Sequence, residues 1–359
     1  MTSTSLSLVL LGLMAAFEQP IARAAAPPRI LIIYDMEGVS GISHEEMTSY
    51  GSPDEYAEGR KFLTADVNAA VRGLKEGGAG AIWVQDGHGS GNGDGPDILV
   101  DQMDARAQFD FRDRDYDPYS TGLDGSLDAI VCIAMHARAG DRGFLAHTYT
   151  LEPAFRVNGV DITETQIIAL SAARWGVPVI MASGDDVLGE QLKAALPDVE
   201  YAEVKKAVSL ARAEPLAPPE VTRRIETAAR RAMEKLLAGR YRPYTVGAPV
   251  TFELSFQNAA QASRAAGDRS VEPVGDRTVR YVAPSFVEGY EHSKHLISLA
   301  SADRLALLVR LLNQSEEGKK LLAEYRRLVL LRWTDPGALP EWARNQPAPP
   351  KPTKYYGDR

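Results

Sequence analysis

The chain has almost no cysteine: Cys132 is the only one in 359 residues. A lone cysteine excludes an internal disulfide framework, and its place in the apolar run AIVCIAM marks it as a buried small hydrophobe rather than a nucleophile. There is no long run of lysine or arginine either. With a formal net charge of −8 and a pI near 5.4, the composition argues against a nucleic-acid partner. No internal repeat is visible, and the glycine-rich stretch between Asp86 and Asp97 lacks the Gly-Lys-Ser/Thr ending of a phosphate-binding loop. The apolar stretch from Leu6 to Phe17 is too short for a membrane span. It precedes Ala22-Arg23-Ala24, the small-x-small pattern of a signal-peptidase site, although no basic residue stands before Leu6. Residues 1–25 are therefore expected to be a signal peptide, which places the mature protein in a periplasm or outside the cell, with no membrane attachment once the segment is removed.

What is present is a hydrophobic content of 45%, enough for a large core. From Arg29 onward, near-continuous apolar runs alternate with helical patterns: RILIIYD, a helix over Asp54–Glu76, AIWVQD, DAIVCIAM, a helix from about Glu164 to Trp175, and VPVIMASGDD. Apolar strands separated by helices predict an α/β fold, a mostly parallel sheet flanked by helices. The stripe Val221, Ile225, Ala228, Ala229, Ala232, Met233 and Leu236 predicts an amphipathic helix over Pro219–Gly239. Two later strand patterns, in APVTFELSF and DRTVRYVA, lead into helices, the second running from near Ser285 towards Leu312. The expected organisation is an α/β domain over 29–243, a smaller C-terminal α+β domain or layer over 244–333 with a last helix over 316–333, and a Pro-rich tail over 334–359.

In such sheets chemistry gathers at the carboxyl ends of the strands. Four predicted strands finish in potential ligands or acid/base groups: Asp35 and Glu37, Asp86 and His88, His136 with Arg138, and Asp185 with Asp186. Carboxylates and imidazoles without thiolates suit Zn²⁺, Mn²⁺ or Fe²⁺. An aspartate at a strand tip can bridge two metals, and Asp35 is the candidate. Each of these residues also has a structural reading. Asp35 and Glu37 could form a solvated turn, and Asp185 and Asp186 could cap a helix. Thr163 and Gln166 make a plausible capping box, with Glu164 as a first-turn glutamate favoured by the helix dipole. His292 and His295 read as surface or structural histidines, and Arg138 as a partner in a structural salt bridge or a contact for a substrate carboxylate.

The series Asp35-Met36-Glu37-Gly38, Asp86-Gly87-His88, His136-Ala137-Arg138-Ala139, His147 and VNG to Glu164 resembles the D-aminopeptidase family of dinuclear zinc peptidases, from about Arg29 to Asp303. His147 stands eleven positions after His136, and Glu164 seventeen positions after His147. By this resemblance two Zn²⁺ per chain would be held by Asp35, Glu37, His88, His136 and Glu164, with His147 as the catalytic histidine. The resemblance thus gives Glu164 a role that its spacing does not. It implies hydrolysis of short peptides with an N-terminal D-residue, such as D-Ala peptides, and a large ring-like homo-oligomer. The pocket rather than the ligands sets stereochemistry, so another metal-dependent amidase or an L-peptidase is the nearest alternative. A periplasmic solute-binding protein is the non-enzymatic one. Tyr34 departs from the family, which often has a smaller residue before its D-x-E-G motif.

Overall fold

The computed structural model describes residues 26–341 and Arg344, apart from 93–94, 112–116, 118, 121 and 152. The expected signal segment and most of the expected Pro-rich tail lie outside the described residues. In chain order the elements begin β1 (Ile30–Tyr34), α1 (Pro53–Glu76), β2 (Ile82–Asp86), β3 (Gln108–Phe109), β4 (Ala129–Met135), β5 (Pro153–Val157) and β6 (Val160–Asp161). Then come α2 (Glu164–Ala173), β7 (Val179–Asp185), α3 (Asp186–Ala195), β8 (Glu200–Ser209), β9 (Arg212–Pro215) and α4 (Pro218–Leu237). The chain continues through β10 (Val250–Phe256), α5 (Ala259–Ala265), β11 (Glu272–Pro273), β12 (Thr278–Ala283), α6 (Phe286–Ala300), α7 (Ala302–Leu312) and α8 (Glu316–Thr334).

Seven strands form one sheet in the order β3-β2-β1-β4-β7-β8-β9, parallel throughout except for the β8–β9 hairpin. The period of two along β1 explains how the sheet is covered on both faces. Ile30, Ile32 and Tyr34 join a core with α1 and α4, while Leu31 and Ile33 join a second core with α2 and the remaining elements. β1 and β4 are buried along their whole length, so they can be apolar at every position. The stripe expected on α4 is the face it buries: Val221, Ile225, Ala228, Ala229, Ala232 and Met233 are all buried, and Leu236 packs partly buried against them.

The second sheet is antiparallel, in the order β11-β12-β10-β5-β6. Here the expected boundary at 244 does not separate two layers. β5 and β6 lie within 29–243, yet β5 pairs with β10, Phe252 opposite Val157 and Leu254 opposite Phe155. The physical reason is a shared core. Phe155, Val157, Phe252 and Leu254 pack with Ile130, Ile167 and Ile168, so the second sheet closes over α2 and one face of the first. The pairing anchors the segment between His147 and Glu164. The long helix expected from near Ser285 to Leu312 is two helices, broken at Ser301, whose Oγ donates 2.7 Å to the Ile297 carbonyl. Among the described residues, no helix is long and apolar enough to cross a membrane.

Candidate metal centre

The four strands expected to end in chemistry, β2, β1, β4 and β7, are neighbours in the sheet, and their carboxyl ends lie side by side. The chain leaves β1 through Asp35, whose N–H continues the ladder to the Ile133 carbonyl at 2.9 Å, and then folds tightly against β4. Gly38 makes that approach possible: its N–H donates 2.8 Å to the Ala134 carbonyl, and a Cβ there would run into the Met135 carbonyl oxygen. β4 itself is distorted. Ala134 has φ 62°, the left-handed region, at the register shift between Cys132 and Met135. That turn delivers His136 to the site.

Asp35, Glu37, His88, His136 and Glu164 are all buried, and His147 is partly buried. His136 Nε2 lies 3.3 Å from Asp35 Oδ2 and 3.3 Å from Glu164 Oε2. His88 Nε2 lies 3.5 Å from Glu37 Oε1, and His147 Nε2 lies 3.8 Å from Glu164 Oε1. Two groups of three have ligand atoms all within 4.8 Å of one another: Asp35, Glu37 and His136, and His136, His147 and Glu164. His147 therefore stands in a metal-competent group as well as at the wall of the site.

Each histidine is tethered through Nδ1. His136 Nδ1 lies 2.9 Å from the Ala137 carbonyl, His147 Nδ1 lies 2.8 Å from the Leu145 carbonyl, and His88 Nδ1 lies 2.7 Å from Asp97 Oδ2. A carbonyl or carboxylate accepts, so Nδ1 carries the proton in each ring and Nε2 presents a lone pair. Those lone pairs face carboxylate oxygens, which also only accept. Asp35 Oδ2, Glu37 Oε2 and His136 Nε2 consequently have no hydrogen-bond partner although buried. Such a convergence is costly unless a proton or a cation sits in it. The donor set is oxygen and imidazole with no sulfur, which fits zinc or a similar divalent ion.

The electrostatics agree. Burial, and then the charge of Glu37, hold the Asp35 carboxyl well above its usual range. Burial alone would push the His88 and His136 imidazoles down. The carboxylates of Glu37 and Asp97 around the first, and of Glu164 and Asp35 around the second, outweigh it and hold both well above the ordinary value. Burial also works against the Glu37 and Glu164 charges, but His88 and His136 bring Glu37 well below its usual range and Glu164 to about 2. The cluster without a cation is thus one in which protons are shared among ligand atoms. His147 differs: burial, and then His136, lower it, so it is neutral at pH 7.

The structure gives Glu164 two tasks at once. The capping box of Thr163 and Gln166 is formed, which starts α2 at Glu164. Its carboxylate accepts 2.6 Å from the Tyr149 N–H and 2.8 Å from the Tyr119 hydroxyl, which aims it at the histidines. Leu145 and Tyr149 are both left-handed, with φ 50° and 67°, and they bracket His147. Backbone strain of about 1–3 kcal/mol per residue is typical where function dictates the conformation.

The other candidates have partners within the chain. Asp185 caps α3 by accepting from the Leu188 N–H, and Asp186 accepts from the Ala207 N–H. Arg138 pairs with Asp141 at 3.2 Å, and His292 and His295 lie 3.5 and 3.6 Å from Asp268. Cys132 is fully buried. Asp86 touches the backbone N–H of His88 rather than its ring, and accepts 2.7 Å from the Tyr34 hydroxyl and 2.9 Å from the Asp97 N–H. The departing Tyr34 therefore supports the network behind His88. Two residues escaped sequence reasoning. Asp97 holds the His88 ring and also accepts from Ser90 and Tyr56. Lys205, fully buried, donates 2.6 Å to the Glu37 carbonyl and 2.7 Å to that of Ile42, pinning the loop that carries both β1 carboxylates.

The chain is 25% identical over 276 residues to the D-aminopeptidase of Bacillus subtilis (strain 168), spanning 76% of this chain and 97% of the relative. Its fold matches that of the solved Zn-dependent D-aminopeptidase DppA from Bacillus subtilis, described as a self-compartmentalizing protease. The TM-score is 0.69 at 24% identity, over 76% of this chain and 98% of the other. The sequence profile of peptidase family M55, D-aminopeptidase, matches residues 29–294, and the chain accordingly belongs to the D-aminopeptidase family of peptidases.

Proposed function

We propose that the protein is a zinc-dependent aminopeptidase that releases an N-terminal D-residue, such as D-Ala, from short peptides. The observation that carries this reading is the buried convergence of acceptor atoms from Asp35, Glu37 and His136 that lack any hydrogen-bond donor. In this reading Asp35, Glu37, His88, His136 and Glu164 would hold two zinc ions. Bound there, the metal pair would supply Lewis acidity towards the scissile carbonyl and lower the pKa of water at neutral pH.

The chain's own groups do the rest. Asp97 and the carbonyl of Ala137 keep His88 and His136 in the tautomer that offers Nε2 to the metal. His147, neutral and tethered through Nδ1, has Nε2 available at the cavity wall. We assign it the proton transfers: Nε2 takes a proton from the attacking water and gives it to the amine as the C–N bond breaks. The chain's likeness in fold to DppA, described as a self-compartmentalizing protease, supports self-association of this chain, and exposed apolar side chains on α7 and α8, Leu305, Leu311, Leu321 and Leu330 among them, favour a covered surface. Export to the periplasm is part of the proposal and is checked by the N-terminal residue of the mature protein.

The test is metal content together with release of D-Ala from D-Ala-D-Ala and of L-Ala from L-Ala-L-Ala. Bound zinc with D-selective release supports the reading. Zinc with release of both keeps the metallo-aminopeptidase and discards the stereochemistry; absence of zinc and turnover removes the proposal.

A further inference from the structure

Lys205 lies on β8 with no exposed surface. Packing alone does not call for a lysine there: burying an ammonium is costly, and an apolar side chain of similar length would fill the same space. Its Nζ donates 2.6 Å to the Glu37 carbonyl and 2.7 Å to the Ile42 carbonyl, closing the loop that follows Asp35. The same atom stands 4.7 Å from the centroid of the Phe144 ring, a cation–π contact. Phe144 opens the turn that presents His147. Its N–H donates 2.9 Å to Asp185 Oδ2, and Asp185 is the register partner of Lys205 across β7 and β8. The next residue, Leu145, donates from its N–H 2.9 Å to the Leu210 carbonyl, between β8 and β9, and its own carbonyl holds the His147 ring. The hairpin reaches the first loop again through the Ala213 N–H, which donates 3.1 Å to the Ser43 carbonyl. Two segments far apart in sequence are thus tied to one hairpin. Asp66 already anchors the middle of the first loop, accepting 2.8 Å from both the N–H and the hydroxyl of Ser40. What Lys205 adds is the link from that loop to Phe144.

We infer that Lys205 is a positioning residue of the reaction, setting the spacing between the loop that carries Asp35 and Glu37 and the turn that presents His147. The inference rests on the proposed aminopeptidase reading, in which the groups held by the first loop and His147 act on one scissile bond. A displacement of about 1 Å at a reacting group can cost about 10²-fold in rate. Two carbonyls and a ring face fix the ammonium between the two segments. Methionine fills the same volume but offers neither the donors nor the charge.

The experiment is a double-mutant cycle on the zinc-saturated full chain with D-Ala-D-Ala, comparing wild type, Lys205→Met, His147→Ala and the double variant. Lys205→Met is expected to lower kcat by about 10–100-fold with little change in KM, and to cost much less once His147 is gone. Losses that multiply in the double variant, or a loss carried by KM, overturn the inference, because a general weakening of the fold acts alike in both backgrounds. A second readout needs no turnover. In Lys205→Met, amide hydrogen exchange should quicken at Gly38–Ile42 and at Phe144–Ala146 together while α4 is unchanged. Quickening at one segment only, at neither, or throughout the chain overturns the inference. If the wild type does not cleave the dipeptide, the aminopeptidase reading has failed separately and exchange alone decides. If Lys205→Met does not fold, Phe144→Leu, which removes the ring and keeps an apolar side chain, takes its place in both measurements with the same expectations.

Discussion

Replacing Asp97 by asparagine should weaken zinc binding without unfolding the protein. The Asp97 carboxylate lies 2.7 Å from His88 Nδ1, with its other oxygen accepting from Ser90 and Tyr56, and is buried. Asparagine has the same shape. Its carbonyl can keep the bond to Nδ1–H, while the Ser90 and Tyr56 hydroxyls, which donate to the other oxygen, must turn to accept from the amide and pair with each other at 3.3 Å. What is lost is charge. A hydrogen bond to an ionised partner contributes about 1.5–3 kcal/mol and a neutral one about 1, so the change is about 1–2 kcal/mol, or roughly tenfold in affinity. Asp97→Ala goes further, because it also strands Nδ1 in a buried site and frees the ring to turn, and losses up to about 100-fold are usual for such partners. The assay is a chelator-competition titration of zinc, with circular dichroism to verify folding. Unchanged affinity in both variants would refute the argument that His88 is a ligand set by Asp97.

Further expectations follow from the same geometry. His147→Ala should lower kcat by about 10²–10⁴-fold while zinc content stays near normal, and zinc lost along with activity would refute a proton-carrying role. Zinc binding should weaken on acidification, because Asp35, His88 and His136 hold protons above their ordinary values on the atoms a cation needs. The protein without zinc carries the extra protons, so affinity rises with pH by about tenfold per unit for each proton displaced, and a flat pH dependence in a zinc titration would exclude the assignment. Gly38→Ala should destabilise by about 1–3 kcal/mol or more, since its Cβ meets a backbone carbonyl that cannot rotate away, and an unaltered melting temperature would contradict the close crossing of β1 and β4.

The parallel sheet was legible because its strands are buried on both faces and so carry unbroken apolar runs, and α4 was legible because one stripe is buried and the rest is wet. β5 was not legible. Pro153–Val157 is a short strand whose partner, β10, lies about a hundred residues later in the chain, and that pairing leaves no local mark. The break at Ser301 was hidden for a related reason: neither glycine nor proline stands there, and the turn comes from a serine side chain bonding back to the preceding helical turn. A helical pattern continues across it, although the chain changes direction.

In the site, what could be read locally was which side chains are able to bind a cation, since strand ends gather Asp35, Glu37, His88 and His136. What no local pattern carries is the state in which they are held. The tautomer of His136 is set by the Ala137 carbonyl, that of His147 by the Leu145 carbonyl, and both depend on left-handed residues, Ala134 and Leu145, that are ordinary aliphatics in the sequence. Asp97 sits at the end of a glycine-rich loop whose composition suggests only a turn, yet five groups converge on it through bonds that require the finished fold. Glu164 shows why the structural and functional readings need not compete. The capping box fixes where α2 begins, and the beginning of α2 is what places a carboxylate between Tyr119, Tyr149 and His136. Removing the cap would therefore be expected to disturb the metal centre through backbone position alone, and a Thr163→Ala variant that lost helix stability but kept full zinc affinity would separate the two.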